Sequence, residues 1–312
     1  MASVLEITLP VFALVASGWL AARRRLLTPE AADGINAFVF WFALPAMLFR
    51  AVASQPVSRI ADTRFLLAWL VAALALFWGA RALSRLGTRD RAQRTGHAFT
   101  VAHGNIGYLG LPLIAQIGDP QRLPGMVMAI LVDILVVIVM SIVLFELARS
   151  GRDAGAPLGA RLRAALGGLL RTPLILGIAS GLVASVAGLR LPSAADAFVG
   201  LLAQAAGPCA LFAIGASLGA STVRVDRTVA SMVAAKLVAH PALFAAFAWA
   251  FGVDPALAAV GILAAALPSA SNTFILSQRY GVDVAPISAA IVAGTAAAAL
   301  TVSFVLRILA LP

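Results

Sequence analysis

Apolar residues gather in ten long runs, and the polar residues collect between these runs instead of alternating with them. The runs fall at approximately 3–22, 35–54, 64–84, 97–117, 123–147, 170–188, 195–219, 229–251, 255–278 and 286–309. Each is near the roughly 20 residues that a helix needs to cross a bilayer core. The pattern therefore predicts an all-α integral membrane protein of ten transmembrane helices. The ninth run is the least regular, because Pro268, Ser269, Ser271, Asn272 and Thr273 interrupt it.

Composition agrees. The 312 residues are 62% hydrophobic and 12% charged, where soluble domains carry about 25% charged residues. Lipid must serve as solvent for much of the surface. A net charge of +10 raises the question of nucleic acid, but the arginines sit in short clusters between apolar runs, which is where they orient helices in a bilayer. No nucleic-acid partner is expected. The sole cysteine, Cys209, lies inside an apolar run and excludes an intrachain disulfide. The first apolar run precedes Arg23, Arg24 and Arg25, the reverse of a cleavable signal peptide.

The basic residues also set an orientation. With the N-terminus outside, the inner connections hold Arg23–Arg25, Arg81, Arg85, Arg89, Arg91, Arg94, Arg149, Arg152, Arg161, Arg163, Arg171, Arg224, Arg227 and Arg279. The outer ones hold Arg50, Arg59, Arg64, Arg122 and Arg190. Sixteen against five fits the positive-inside rule. A multi-pass protein of the plasma (inner) membrane with both termini on the outer side is expected.

The two halves of the chain repeat. At an offset of 163 residues Pro10 meets Pro173, Ala16-Ser17-Gly18 meets Ala179-Ser180-Gly181, Pro45 meets Pro208, Leu48-Phe49 meets Leu211-Phe212, Ser54 meets Ser217 and Gly118 meets Gly281. Over 10–22 and 43–54 there are 11 identities in 25 pairs, against roughly two or three expected by chance. The expected organisation is a five-helix repeat at 1–148, a cytoplasmic linker at 149–169, and a second five-helix repeat at 170–312. An odd number of helices per half inverts the second in the membrane, as in many secondary transporters.

Matching segments of the halves are broken. The fourth reads His103-Gly104-Asn105-Ile106-Gly107-Tyr108-Leu109-Gly110-Leu111-Pro112. Glycine costs a helix about 1 kcal/mol and interior proline about 3, so a regular helix here is expensive. The ninth reads Leu267-Pro268-Ser269-Ala270-Ser271-Asn272-Thr273-Phe274. Bare backbone at membrane depth is tolerated only in a cavity or buried in protein. Half-helix N-termini there present amides and a positive dipole end, which suit an anion. Helices 4 and 9 are expected to break and cross at a substrate site, with Asn105 and Asn272 as neutral donors and acceptors. Ordinary kinks are the plainer alternative.

The string Gly104 to Pro112 resembles the fourth-helix motif of the auxin efflux carrier family, which includes plant PIN carriers and bacterial permeases for malonate or malate. Ala43-Leu44-Pro45-Ala46-Met47-Leu48-Phe49 resembles its second-helix motif, Lys236-Leu237-Val238-Ala239-His240-Pro241 its eighth, and Leu267-Pro268 to Tyr280 its ninth. The resemblance implies a scaffold of helices 1, 2, 6 and 7 and a transport unit of helices 3–5 and 8–10. It places Gly104, Asn105, Gly107, Tyr108, Pro112, Ser271, Asn272 and Thr273 at the substrate site. The plant carriers have a proline in both crossing segments. Pro112 matches the first, whereas Thr273 stands near the second. The long cytoplasmic loop of many plant members is absent.

Ionisable residues inside a membrane are costly. Lys236 and His240, four apart, share a helical face. They either bind a carboxylate, or Lys236 snorkels to an interface about 10 Å away. Asp133 either carries a proton or pairs with a cation. His103 either titrates or is a satisfied hydrogen-bonding residue. Glu6 and Glu146 lie near segment ends and read as interfacial. Gly215-Ala216-Ser217-Leu218-Gly219 spells the hydrolase G-x-S-x-G, but in a helix end rather than a strand–turn–helix elbow. No zinc motif, phosphate loop or nucleotide fingerprint occurs, so neither an enzyme nor a cofactor is expected. The reading is a secondary transporter of small organic anions, mono- or dicarboxylates such as malonate or malate, with proton coupling, sodium coupling and uniport all open. A membrane sensor for a small carboxylate is the alternative. Gly- and Ala-rich scaffold helices permit a homodimer.

Overall fold

A computed structural model describes residues 4–55, 61–117, 122–149, 157–219 and 224–309; Arg59, Gly118 and Arg152 lie outside these. Among the described residues the chain is helical, and its one β feature is an isolated bridge. In chain order the helices are α1 (Val4–Arg23), α2 (Glu30–Ala53), α3 (Thr63–Leu86), α4 (Arg91–Ala102), α5 (Leu111–Ile117), α6 (Leu123–Ala148), α7 (Leu158–Leu170), α8 (Pro173–Val186), α9 (Ser193–Gly219), α10 (Arg227–Ala250), α11 (Pro255–Ala265), α12 (Asn272–Arg279) and α13 (Ala285–Ile308). Several starts are written locally. The carboxylates of Asp62, Asp90, Asp226 and Asp254 accept from first-turn amides of α3, α4, α10 and α11, which otherwise lack partners.

Among the described residues six helices, α2, α3, α6, α9, α10 and α13, are long and apolar enough to cross a membrane. Counting the bent pair Gly159–Gly168 and Pro173–Val186 as one span makes up to seven. Others of the ten apolar runs are shorter or split as helices. The first run forms α1, Val4–Arg23, whereas Pro255–Ala265 is all that α11 supplies to the ninth. The fourth run divides into α4 and α5, and the ninth into α11 and α12.

Helix α1 packs on α9, and α2 packs on α8 and α9. The contacts are reciprocal. A Cβ on Gly18 would collide with the carbonyl oxygen of Phe212, and a Cβ on Gly181 would come within 2.7 Å of the carbonyl oxygen of Phe49. Gly181 and Phe212 lie 163 residues beyond Gly18 and Phe49. Glycine is required at both places because backbone meets backbone. Lipid offers no hydrophobic drive between helices, so close van der Waals approach holds such pairs together.

One large core, built around Phe65, Trp69, Phe77, Phe99, Phe145 and Phe244, all fully buried, also takes in Val15 of α1, Leu48 of α2, Ile178 of α8 and Leu211 of α9. Here α3 packs on α4 and α10, α4 on α6, and α10 on α11 and α13. Glu146, read from sequence as interfacial, is buried instead. Arg161 of α7 pairs with it at 2.8 Å, and the Tyr280 hydroxyl donates to it at 2.8 Å. Its position near a helix end did not disclose the partner that α7 brings. The side chain of Glu6 lies outside the described residues.

Candidate functional site

The two broken segments meet backbone to backbone. The Asn105 amide donates to the Pro268 carbonyl at 2.8 Å, and the Ala270 amide donates to the His103 carbonyl at 3.2 Å. Together they form an antiparallel bridge between Gly104 and Ser269. Each segment thus satisfies polar groups that the other leaves open, the condition for unwound chain inside an apolar body. Beyond the crossing, a single π-helical turn, Ile106–Gly110, leads into α5, and Ser271 stands immediately before α12. A helix start leaves its earliest amides without helical acceptors; in α12 the Thr273 amide already donates to the Ala270 carbonyl at 3.1 Å and the Phe274 amide to the Ser271 carbonyl at 3.1 Å, and after the crossing the Leu109 amide donates to the Asn105 carbonyl at 3.1 Å.

A carboxylate anchors the crossing from one side. Asp133 sits in a π-helical turn of α6, Asp133–Ile138, and is 1% exposed. Trp69 Nε1 donates to its Oδ1 at 2.9 Å. Its Oδ2 lies 3.0 Å from His103 Nδ1 and 3.3 Å from the Gly104 amide. On its far side His103 Nε2 lies 3.0 Å from Asn272 Nδ2. The tautomer that satisfies both contacts carries its proton on Nδ1, donating to Asp133 and accepting from Asn272. Phe99 stacks on the same ring at 5.3 Å. A buried carboxylate is costly unless its lone pairs are filled; three donors fill them here.

A cavity of about 490 Å³ opens against this crossing. His103, Gly104, Asn105, Ile106, Gly107 and Tyr108 line it from the fourth segment, and Ala270, Ser271 and Asn272 from the ninth. Asp133 lines it from α6. The rest of the lining comes from α2, α8 and α9: Asp33, Asn36 and Phe40 of α2, Thr172 and Leu174 at the start of α8, and Ile214 and Ser217 of α9. The Asn105 side chain is 6% exposed, and no hydrogen bond from it is found among the described residues. Its amide is thus held at the wall with donor and acceptor capacity unspent.

Four expected residues stand elsewhere. Pro112 packs toward Gly207 of α9, where a glycine Cβ would meet it at 3.3 Å. The Thr273 hydroxyl is turned back to the Ala270 carbonyl at 2.8 Å. Lys236 and His240 are buried behind the crossing, away from the cavity wall. Sequence reading did not find Asp33, Asn36, Phe40 or Thr172, which carry no motif. Asp33 and Asn36 share a helical face three residues apart, a weak signal in one sequence. Ser217 lies inside α9, its hydroxyl donating to Ala213 O at 3.0 Å, and no strand–turn–helix elbow surrounds it.

Two broken helices paired through their backbones, beside a cavity with half-helix N-termini, define a membrane transport protein. The chain belongs to that family: the profile described as "Membrane transport protein" matches residues 3–158 and 160–306. It is 32% identical over 327 residues to "Putative malonate transporter" of Rhizobium meliloti (strain 1021), covering 99% of this chain and 97% of that one. Over 279 residues it is 27% identical to "Uncharacterized transporter YfdV" of Escherichia coli (strain K12), covering 88% and 87%. "Auxin efflux carrier component 8" of Arabidopsis thaliana matches at 24% over 347 residues, covering 93% of each. The resemblance to the auxin efflux carrier family is thereby established.

Proposed function

We propose that this protein is a secondary carrier of small organic anions, mono- or dicarboxylates such as malonate, working by alternating access. The observation that carries this reading is the cavity at the crossing. One part of its lining is unwound backbone with two half-helix starts, and the rest comes from α2, α6, α8 and α9. Amides and helix dipole ends favour a carboxylate, and Asn105 supplies an orienting amide. The volume lies within the ordinary range for small-molecule sites, about 300–1,000 Å³, so malonate enters with water. The extended similarity to a malonate-named relative supports a dicarboxylate.

In this reading ten spans form two inverted five-helix repeats. Helices α1, α2, α8 and α9 are the scaffold; α3–α6 and α10–α13 move as the transport unit. The reciprocal contacts Gly18–Phe212 and Gly181–Phe49 support the repeat. Asp33 and Asn36 near the start of α2, Thr172 before α8 and Ser217 near the end of α9 all line the cavity, and the starts of α2 and α8 adjoin Arg23–Arg25 and Arg171 in the chain. Under the positive-inside rule these helix ends face the cytoplasm, and in this reading the cavity opens there.

The test is uptake of labelled malonate into liposomes carrying the purified protein, with malate, other dicarboxylates and indole acetate as competitors. Saturable uptake blocked by small dicarboxylates is expected. Binding without flux would replace the carrier with a sensor, and neither binding nor flux for any of these would refute the anion reading.

A further inference from the structure

The described walls of the cavity bring two carboxylates, Asp33 and Asp133, and no lysine or arginine. An anion site with that inventory needs positive charge from close behind the wall. Lys236 lies there. It sits in a π-helical turn of α10, Ala235–Ala239, and is 1% exposed. Its Nζ is 2.7 Å from His240 Nδ1 and 3.1 Å from the Ala265 carbonyl oxygen. A Cβ on Gly104 would lie 3.1 Å from the same Nζ. The ammonium is thus pressed against the backbone of the crossing, and the Gly104 amide of that backbone is held by Asp133.

The surroundings of the Nζ are those of a cation site. A carbonyl oxygen and an imidazole lone pair converge on it, and its charge faces Asp133 across one glycine. There is no snorkelling route, since burial is complete. His240 is fully buried against the Trp69 ring, and among the described residues its Nε2 has no hydrogen-bond partner. Leaving that atom unsatisfied is unfavourable, so the imidazole is spent on turning Nδ1 toward the lysine.

We propose that the Lys236 ammonium is a built-in counter-cation of the crossing, seated in a closed site formed by His240, the Ala265 carbonyl and the Gly104 backbone, and that this site accepts a free monovalent cation when the lysine side chain is removed. Lys236 is then a positioning residue. It does not touch the substrate; it compensates Asp133 and biases the crossing toward anions. The role in anion binding rests on the carrier reading above, whereas occupancy of the site does not.

The experiment uses the purified full chain and Lys236→Ala. Thermal unfolding is followed in N-methylglucamine, sodium and methylammonium chlorides at equal ionic strength. The parent's midpoint should be the same in all three. The variant's should be lowest in N-methylglucamine and rise by about 2–4 °C in sodium or methylammonium, as binding to the folded state alone requires. Its malonate uptake should fall at least tenfold and recover in part with the same cations. Equal midpoints for the variant in all three salts, or a sodium shift in the parent, would overturn the proposal. If Lys236→Ala does not fold, Lys236→Met decides: it fills the space without charge, so it should fold and lose uptake with no rescue. Parental uptake by Lys236→Met would overturn the proposal. Absence of uptake by the parent refutes the carrier and leaves the midpoint comparison readable.

Discussion

His103 and Asn272, 169 residues apart in the chain, meet at 3.0 Å between Nε2 and Nδ2. The contact ties the fourth segment to the first turn of α12. It also spends the Asn272 amide on protein, whereas the Asn105 side chain remains available to the cavity. The two asparagines look equivalent in sequence, and the structure gives them different work.

Asn105→Ala should therefore cost substrate affinity directly. Losing one hydrogen bond to a charged ligand is worth about 1.5–3 kcal/mol, roughly ten- to hundredfold. Equilibrium malonate binding is the measurement, with the thermal midpoint little changed because no described contact is lost. Asn272→Ala should lower the midpoint as well, since it strips His103 of a partner. Parental binding by Asn105→Ala would remove the crossing as the substrate site.

Asp133→Asn keeps the size of the side chain and loses its charge. One oxygen is replaced by a donor facing either Trp69 or the His103–Gly104 pair. A loss of about 1.5–3 kcal/mol is expected, read as a lower thermal midpoint, together with reduced uptake. A parental midpoint would mean that the three donors are satisfied without the carboxylate.

Gly18→Ala and Gly181→Ala should each destabilise by about 1–3 kcal/mol, because backbone has to move. Gly79→Ala is the control: a Cβ there meets nothing within 4 Å, and alanine favours helix by up to about 1 kcal/mol. Unfolding midpoints of the three variants in one detergent provide the comparison. Equal midpoints for Gly18→Ala and Gly79→Ala would show that α1 and α9 can separate at little cost.

Orientation is open to labelling. After Cys209→Ser, a cysteine at Arg91 should resist an impermeant thiol reagent added outside, and one at Ser193 should react. Both positions are exposed. The reverse result would invert the topology drawn from the arginines, and equal labelling would break the helix count.

The sequence alone determined the solvent and the chemistry of the weak points. Apolar runs of bilayer length force helices, because backbone polar groups in lipid must be satisfied within the segment. Glycine and proline at 104–112 and at 267–274 mark where that rule is broken, since those residues cannot propagate a helix cheaply. The 163-residue offset was also legible, because the same small residues recur where backbones have to touch. Only the tertiary structure decided who meets whom. The bridge between Gly104 and Ser269, the three donors on Asp133 and the burial of Lys236 behind Gly104 join positions tens to more than a hundred residues apart. Local pattern carries no record of such pairings. Lys236 shows the reason most plainly: four residues' spacing from His240 fixed a shared helical face, but which side of the crossing that face meets depends on how α10 packs against α3 and α11.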